Sequence, residues 1–563
     1  MKRLYFWFGG AQALQRLLFI CLVFIISLTI VYPLFQRGYF PMHDDTQIAR
    51  VVEMTEALKD GQFPVRWVRD LGYGFGYPLY SFYGPLPYYI GSFFSLIGFS
   101  PLDATKIMMG LGMILPAMTM GLVLYSFFGF FPGLLGAVLY VFAPYHAVQL
   151  YVRGAVGELW TLSFLPLVLY GLMHASKGFR STIVGAIGLA GVIVSHTVFG
   201  FIVVLLCVIE ILCVAFFAFF SKKKSIRSYV LPSMTLVGIG MALSSFFWLP
   251  ALVEMGYTNV ASQVGGGADF KDHFVCISQF WSSAWGFGGS VPGCVDGLSF
   301  RLGKIFVFIF SLGSILVFWF RGKKNLVLSG SSIVLVVLSL YMMTQWSEWI
   351  WKFVPLLAYI QYPWRFLVFV VFGIAIIGAW SLSLLNKFRI QMAFVCLVTI
   401  GLTLAISLKL FTPQYIYDFG KSNTVSLEDI RVKYSQISDE YLPHGFDRKK
   451  SDGTMIAYGA VDGLIGVLSH YSSTSVKRQW DLYAEENSDV RLGMSYLPGW
   501  SVMTDGVASR VSLDRGMPNI ALVKGAHIVD AKHNSTPIET LGNIISLVSV
   551  FLSIIYYGKK QIS

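Results

Sequence analysis

Charge is what this sequence has least of. Only 13% of its 563 residues are Asp, Glu, Lys or Arg, against 55% hydrophobic residues and a mean hydropathy of +0.66. Such a chain cannot cover a soluble surface, which excludes a water-soluble globular protein. Its repeated apolar runs of about 18 residues or more indicate a polytopic membrane protein. Charges inside these runs are few, with Glu210 the main exception, and no internal repeat is visible. Both features argue against a transporter, which places ionisable groups at mid-membrane and often repeats its halves. A nucleotide loop is missing too: Gly72, Gly74 and Gly76 sit in no strand–turn–helix unit. The net charge of +12 is dispersed in short clusters between the runs, so it forms no nucleic-acid surface. Cysteine is rare. Cys21, Cys207, Cys213 and Cys396 lie in apolar runs as small hydrophobes, whereas Cys276 and Cys294 share one polar loop. The run from Leu17 to Phe35 lacks a small-residue cleavage site and reads as a retained span.

What is there is a series of about twelve predicted spans, near 17–35, 101–127, 133–150, 158–175, 181–197, 199–220, 229–253, 303–320, 325–343, 365–385, 390–411 and 540–557. With this count the basic clusters all fall on the side of the N-terminus. They are Lys2, Arg3 and Arg16; Lys177 and Arg180; Lys222, Lys223, Lys224 and Arg227; Arg321, Lys323 and Lys324; Lys387 and Arg389; and Lys559 and Lys560. The positive-inside rule makes that side cytoplasmic and puts both termini there, in a multi-pass protein of the plasma membrane. Residues 1–411 then form a transmembrane domain with outward loops 36–100 and 254–302. Residues 412–538 form a small extracytoplasmic domain, and 539–563 the last helix and tail. SVMTDGVASRVSL and NIALVKGAHIVDA alternate apolar and polar residues between Gly, Pro and Asp turns, so this domain is expected to be β-rich. The lone loop cysteines, Cys276 and Cys294, face an oxidising compartment in this topology and have no better partners, which predicts a disulfide.

The first outward loop carries FPMHDDTQIARVVEMTEALKDGQFPVRW (40–67), two adjacent aspartates just beyond the first span. An amphipathic helix should follow them, with Ile48, Val51, Val52, Thr55 and Leu58 on one side and Lys59-Asp60-Gly61 at its end. PLPYYIGSFFSLIG (85–98) is too short to span and reads as a helix lying in the interface. An aspartate before Thr-Gln-Ile is an ordinary helix N-cap, which explains one of the pair but does not require two. The chemical alternative is a general base: a carboxylate at the outer membrane surface takes a proton from a hydroxyl as it attacks a sugar carbon. A sugar on a lipid phosphate would arrive at this level, and its leaving phosphate would need cations more than an acid.

The stretch HDDTQIARVVEMTEALKDGQFP resembles the paired acidic motif of the GT-C superfamily of membrane glycosyltransferases, as does the order of first span, acidic outward loop, two helices along the membrane and bundle. GYGFGYPLYSFYGPLPYY (72–89), WGFGGSVPGCVDGLSFRLG (285–303), QYPWRF (361–366) and YLPGWSVMTDG (496–506) resemble more closely the bacterial membrane proteins of the YfhO type and those labelled as related to 6-pyruvoyl-tetrahydropterin synthase. The resemblance implies a GT-C-like bundle and an inverting transferase that uses a polyprenyl-phosphate sugar donor and an extracytoplasmic acceptor. It implies Asp44 as base and Asp45 as its support. It implies no pterin chemistry. His43, Asp44 and Asp45 together could hold a divalent cation, as some members of that superfamily do, but nothing in the sequence requires one.

A lipid-phosphate donor calls for cations on the outer side. Arg66 and Arg69 follow the first-loop helix, Arg153 sits in a short turn, Arg301 and Lys304 enter the eighth span, and Arg365 begins the tenth. The fork of arginine suits phosphate. The plain alternative is that each one snorkels to headgroups or pairs with an acid, as Arg153 could with Glu158. Arg365 is favoured because it recurs in the QYPWRF stretch of the resembling proteins. His146 and His196 near span ends, and His43 beside the aspartates, are further candidates, although a lone His more often only packs. The outward aromatics, among them Tyr83, Tyr88, Trp285, Tyr362 and Trp364, fit a sugar-stacking wall or an interfacial belt equally well. Two rival readings stand beside the transferase: a transporter or flippase of lipid-linked glycans, and a non-catalytic scaffold whose β domain binds a partner.

Overall fold

The computed structural model describes residues 11–221, 227–260, 265, 268–320, 326–420, 423–446 and 459–559. Lys2, Arg3, Lys222, Lys223, Lys224, Arg321, Lys323, Lys324 and Lys560, used above for orientation, lie outside them. Among the described residues, eight helices are long and apolar enough to cross a membrane: Gln12–Phe35, Pro101–Phe128, Val156–Lys177, Thr197–Phe216, Leu326–Met343, Pro363–Ser383, Arg389–Leu410 and Pro537–Tyr556. Two bent pairs and two shorter apolar helices, Phe179–Ser195 and Lys304–Trp319, occupy the other expected spans.

Two spans expected to run straight are broken. Phe130–Val141 and Pro144–Arg153 meet at 47°, and Tyr229–Leu243 and Ser245–Tyr257 at 73°. The first break has a local cause. Ala143 is extended (φ −62°, ψ 139°) because a residue before proline is pushed out of the helical region, and Pro144 then starts a new turn. The reoriented piece ends in the six-residue π-helical turn Val148–Arg153 and a left-handed Gly154. The bend therefore delivers Arg153 to the edge of the bundle. At the centre stands Leu367–Ser383, where every residue but Ser381 and Ser383 is buried, so the helix has no lipid-facing side.

The first-loop helix forms as expected, over Gln47–Lys59, but it is not amphipathic in its burial. Gln47, Arg50 and Glu53 are buried along with Ile48, Val51 and Met54, because other parts of the chain cover both sides. The short helix Leu86–Leu96 packs on it where Gly91 meets Val51, and exposes Phe93, Leu96 and Ile97. That is the pattern of a helix lying along a membrane.

Before the last helix comes a two-sheet antiparallel sandwich, with nine strands among the described residues: β1 (Val461–Asp462), β2 (Gly466–Ser473), β3 (Lys477–Ala484), β4 (Ser488–Leu492), β5 (Trp500–Thr504), β6 (Val507–Ala508), β7 (Ser512–Asp514), β8 (Met517–Leu522) and β9 (Gly525–His533). The sheet orders are β1-β4-β8-β7 and β2-β3-β9-β5-β6. Its core of Trp480, Leu492, Trp500, Val502, Leu522 and Val529 includes one side chain from the first loop, Trp67. The described residues of 412–446 contribute no strand to either sheet. They form a strap of short helical turns over Leu427–Ile437, whose Ile430 and Tyr434 pack into the core shared with the bundle.

Candidate active site

The two aspartates sit on a tightly held turn. The His43 and Asp44 amides donate to the carbonyls of Val152 (3.0 Å) and Arg153 (2.9 Å), and Gln47 Nε2 donates to the carbonyls of Asp44 (3.0 Å) and Gly154 (2.9 Å). Gly154 is required here: it is left-handed (φ 66°), and a Cβ on it would fall 2.1 Å from Met42 Sδ. The helix N-cap is Thr46, with no side-chain capping bond, so neither aspartate is spent as a cap. Both are half-buried. Among the described residues neither carboxylate takes a hydrogen bond. They face different surroundings. Asp44 lies close enough to Arg50 and Arg153 to act on both charges. Asp45 acts on Tyr39, Tyr417 and Tyr434. Burial pushes the Asp45 carboxyl above its ordinary value, and Lys433 of the strap pulls against that shift.

Beside Asp44 lies a buried ionic cluster. Glu158, in the first turn of Val156–His174, accepts from both Arg153 Nη atoms (2.7 and 2.9 Å) and from Arg365 Nε (3.0 Å). Gln149 Nε2 (3.1 Å) and Tyr145 Oη (3.3 Å) complete its shell. Arg365 is held further by the Ile360 carbonyl (2.7 Å) and Gln361 Oε1 (3.2 Å). The Arg153 guanidinium lies 4.5 Å from the centroid of Trp364, and that of Arg365 lies 5.1 Å from Tyr362. Two guanidinium groups thus share one carboxylate, which keeps a positive charge out of water next to the aspartate turn. Arg153 does pair with Glu158, but the pairing leaves the cluster cationic.

The other expected site residues divide into three groups. His43, Trp285 and Arg301 form a second wall: His43 Nε2 donates to the Phe287 carbonyl (3.0 Å), Trp285 packs on Phe287, and the Arg301 guanidinium lies 5.3 Å from the Trp285 ring. A Cys276–Cys294 disulfide (Cα–Cα 5.6 Å) and the Asp296 carboxylate, which accepts from Gln279, Ser283 and the Ala284 amide, hold that loop. His196 is half-buried at an extended break between helices and lies near Glu158. A second group packs beside the site. Tyr88 is fully buried and bonds Gln47 and Arg50, and Tyr83 lies under the Arg50 guanidinium at 4.1 Å. Trp364 is 3% exposed beneath Arg153.

The third group is removed from the site. His146 is fully buried, edge-on to Tyr140 at 5.4 Å. Arg66 is buried against the last helix, paired with Glu539 (3.3 Å) and bonded to Asn543 and the Phe246 carbonyl. Arg69 pairs with Asp70 (2.9 Å), which also takes Arg431 of the strap. Arg66 therefore fastens the loop to the last helix, and Arg69, whose Nη1 also donates to the Ser473 carbonyl (3.4 Å), to the sandwich. Reading the sequence missed Arg50, Gln47, Gln149 and the strap residues Lys433 and Tyr434. Gln47 and Arg50 left a trace, polar residues three apart on a helix otherwise read by its apolar face. The strap left none. Among the described residues no group of three or more His, Cys, Asp and Glu side chains could hold a metal ion.

An uncharacterized protein of Lactococcus lactis subsp. cremoris (strain MG1363) is 26% identical over 344 residues, covering 57% of this chain and 53% of its own length. The chain thus spans about half the length of that relative. Among solved structures, the arabinofuranosyltransferase AftD from Mycobacteria resembles it at TM-score 0.48 and 14% identity, over 71% of this chain and 27% of AftD. ArnT from Cupriavidus metallidurans, solved bound to undecaprenyl phosphate, resembles it at TM-score 0.40 and 12% identity, over 70% of this chain and 64% of ArnT. The family model of the 6-pyruvoyl-tetrahydropterin synthase related domain, a membrane protein family, matches residues 80–412, and with them Arg153, Glu158 and Arg365. With more than half of its length matched, the chain belongs to this family of 6-pyruvoyl-tetrahydropterin synthase related membrane proteins.

Proposed function

We propose that this chain is an inverting glycosyltransferase of the cell membrane that moves a sugar from a polyprenyl-phosphate-linked donor to an acceptor outside the cytoplasm. The observation that carries the reading is the half-buried Asp44 carboxylate, fixed through its own amide to the Arg153 carbonyl, beside a buried cluster in which Arg153 and Arg365 share Glu158. A lipid that brings its phosphate to the membrane surface would meet the guanidinium groups there, and an acceptor hydroxyl would meet Asp44. The likeness of the HDDTQIAR stretch to the paired acidic motif of GT-C enzymes supports the same assignment.

In this mechanism Asp44 takes the acceptor hydroxyl proton as its oxygen attacks the anomeric carbon. The new carbon–oxygen bond forms on the face opposite the bond to phosphate, whose electron pair leaves with the phosphate oxygen. Arg153 and Arg365 stabilise that oxygen as its charge grows. A single displacement of this kind inverts the anomeric carbon, and as written it requires no cofactor. The aspartate face is read as extracytoplasmic, with both termini in the cytoplasm. The test is incubation of the purified protein in nanodiscs with polyprenyl-phosphate sugars and acceptor-bearing envelope extract. Transfer with inverted configuration is expected. Retained configuration would remove Asp44 as a base acting in one step, and the absence of transfer from every lipid-linked donor would remove the enzyme.

A further inference from the structure

Arg50 is a buried charge that the mechanism above leaves unused. It lies in the first-loop helix, is 5% exposed, and among the described residues has no carboxylate within ion-pair distance. Asp44 and Glu440 act on it only from farther away. One hydrogen bond holds its guanidinium, Nη1 donating to Tyr88 Oη at 3.3 Å, and the Tyr83 ring centroid lies 4.1 Å from it. A guanidinium has five N–H donors, and the rest meet no protein acceptor among the described residues. Burying an unpaired charge is costly, so a fold that retains one keeps it for a partner of opposite sign.

The position of Arg50 is as well defined as that of the aspartates. Tyr88 Oη donates to Gln47 Oε1 (2.7 Å), and Gln47 Nε2 donates to the carbonyls of Asp44 and Gly154. Tyr80 Oη donates to the Arg50 carbonyl (2.6 Å). A relay of side chains thus ties Arg50 to the backbone from which Asp44 and Arg153 project, and both arginines lie within electrostatic reach of the Asp44 carboxylate. Arg50 and Arg153 thus both act on the Asp44 carboxylate, and Arg153 in turn shares Glu158 with Arg365.

We propose that Arg50 is a further anion-binding residue of this site, its guanidinium fork taking phosphate oxygens of the lipid-linked substrate together with Arg153 and Arg365. The inference rests on the reading that the donor is a polyprenyl phosphate. A planar fork suits tetrahedral phosphate, and the chemistry is shared by lipid monophosphates and diphosphates. The test is binding of undecaprenyl phosphate and undecaprenyl diphosphate to the full chain in nanodiscs, comparing the wild type with Arg50→Gln, Arg50→Lys and Arg365→Gln. Arg50→Gln should weaken binding by about tenfold or more, with part recovered by Arg50→Lys. Loss for both lipids places Arg50 on the phosphate they share, and loss for the diphosphate alone places it on the second one. Wild-type affinity for both lipids in Arg50→Gln, with Arg365→Gln impaired, overturns the role of Arg50 and leaves the donor reading standing. If neither lipid binds the wild type, both fall. If Arg50→Gln does not fold, Arg50→Lys decides, since it keeps the charge without the fork: unchanged affinity overturns the proposal.

Discussion

At the scale of single residues, the site is governed by where charge is kept from water. Glu158 is the hub, with two arginines, a glutamine and a tyrosine on one carboxylate. Glu158→Gln leaves both guanidinium groups without their buried counter-charge. It should destabilise the protein by about 3–5 kcal/mol, read as a fall in the thermal unfolding midpoint in detergent. Asp45 behaves in the opposite sense. Its pKa is raised in the folded state, mainly by burial, so its ionised form opposes folding. Below the unfolded carboxylate value the group is protonated in both states and costs nothing. As pH rises from the unfolded value through the raised folded value the penalty builds, and above it the penalty persists in full. Asp45→Asn should therefore raise the unfolding midpoint at neutral pH and leave it unchanged at acid pH; an equal gain at both pH values would contradict the burial account.

At the scale of elements, the apolar runs were legible because a membrane span is encoded by length and composition alone. The β strands were legible from alternation, and the cysteine pair from its isolation in one polar loop. What could not be read was every feature decided by a distant partner. Arg66 and Arg69 look like outward cations in sequence, but their carboxylate partners are Glu539 on the last helix and Asp70 in the same loop. The burial of Gln47, Arg50 and Glu53 follows from Leu86–Leu96 and Pro101–Phe128 packing on their helix and from the Asp70 amide meeting Glu53, which the helix's own periodicity does not encode. The break at Ala143 is encoded by Pro144, a signal that span length and hydropathy do not carry. The loop holding Trp285 depends on its crosslink. Replacing Cys276 and Cys294 by serine should lower stability by about 3 kcal/mol in the chain-entropy model. In the native protein both thiols should resist alkylation until reduced, and labelling without reductant would contradict the disulfide.

At the scale of the whole molecule, the β sandwich is an extension of the first loop rather than a separate appendage. Trp67 completes the sandwich core, packing on Trp500 (5.3 Å) and His533 (5.8 Å). Buried Arg478 donates to the Gly74 carbonyl (3.4 Å), and the Ser495 amide to that of Phe75 (2.8 Å). Asp70 binds the strap that brings Lys433 and Tyr434 to Asp45. The loop that carries the aspartates is thus clamped between bundle, strap and sandwich. Trp67→Ala should cost about 3–5 kcal/mol and expose the sandwich to limited proteolysis. Proteolysis at the wild-type rate would show that the sandwich core closes without it.

The central claim is that Asp44 does the chemistry. The measurement that tests it most directly is sugar transfer by the purified Asp44→Asn protein, checked for wild-type thermal stability, alongside the wild type. Asparagine keeps the size and polarity of the side chain and removes the base. Transfer should fall by a factor on the order of 10² or more, while undecaprenyl phosphate binding is retained. Transfer at the wild-type rate in the folded Asp44→Asn protein would contradict the account.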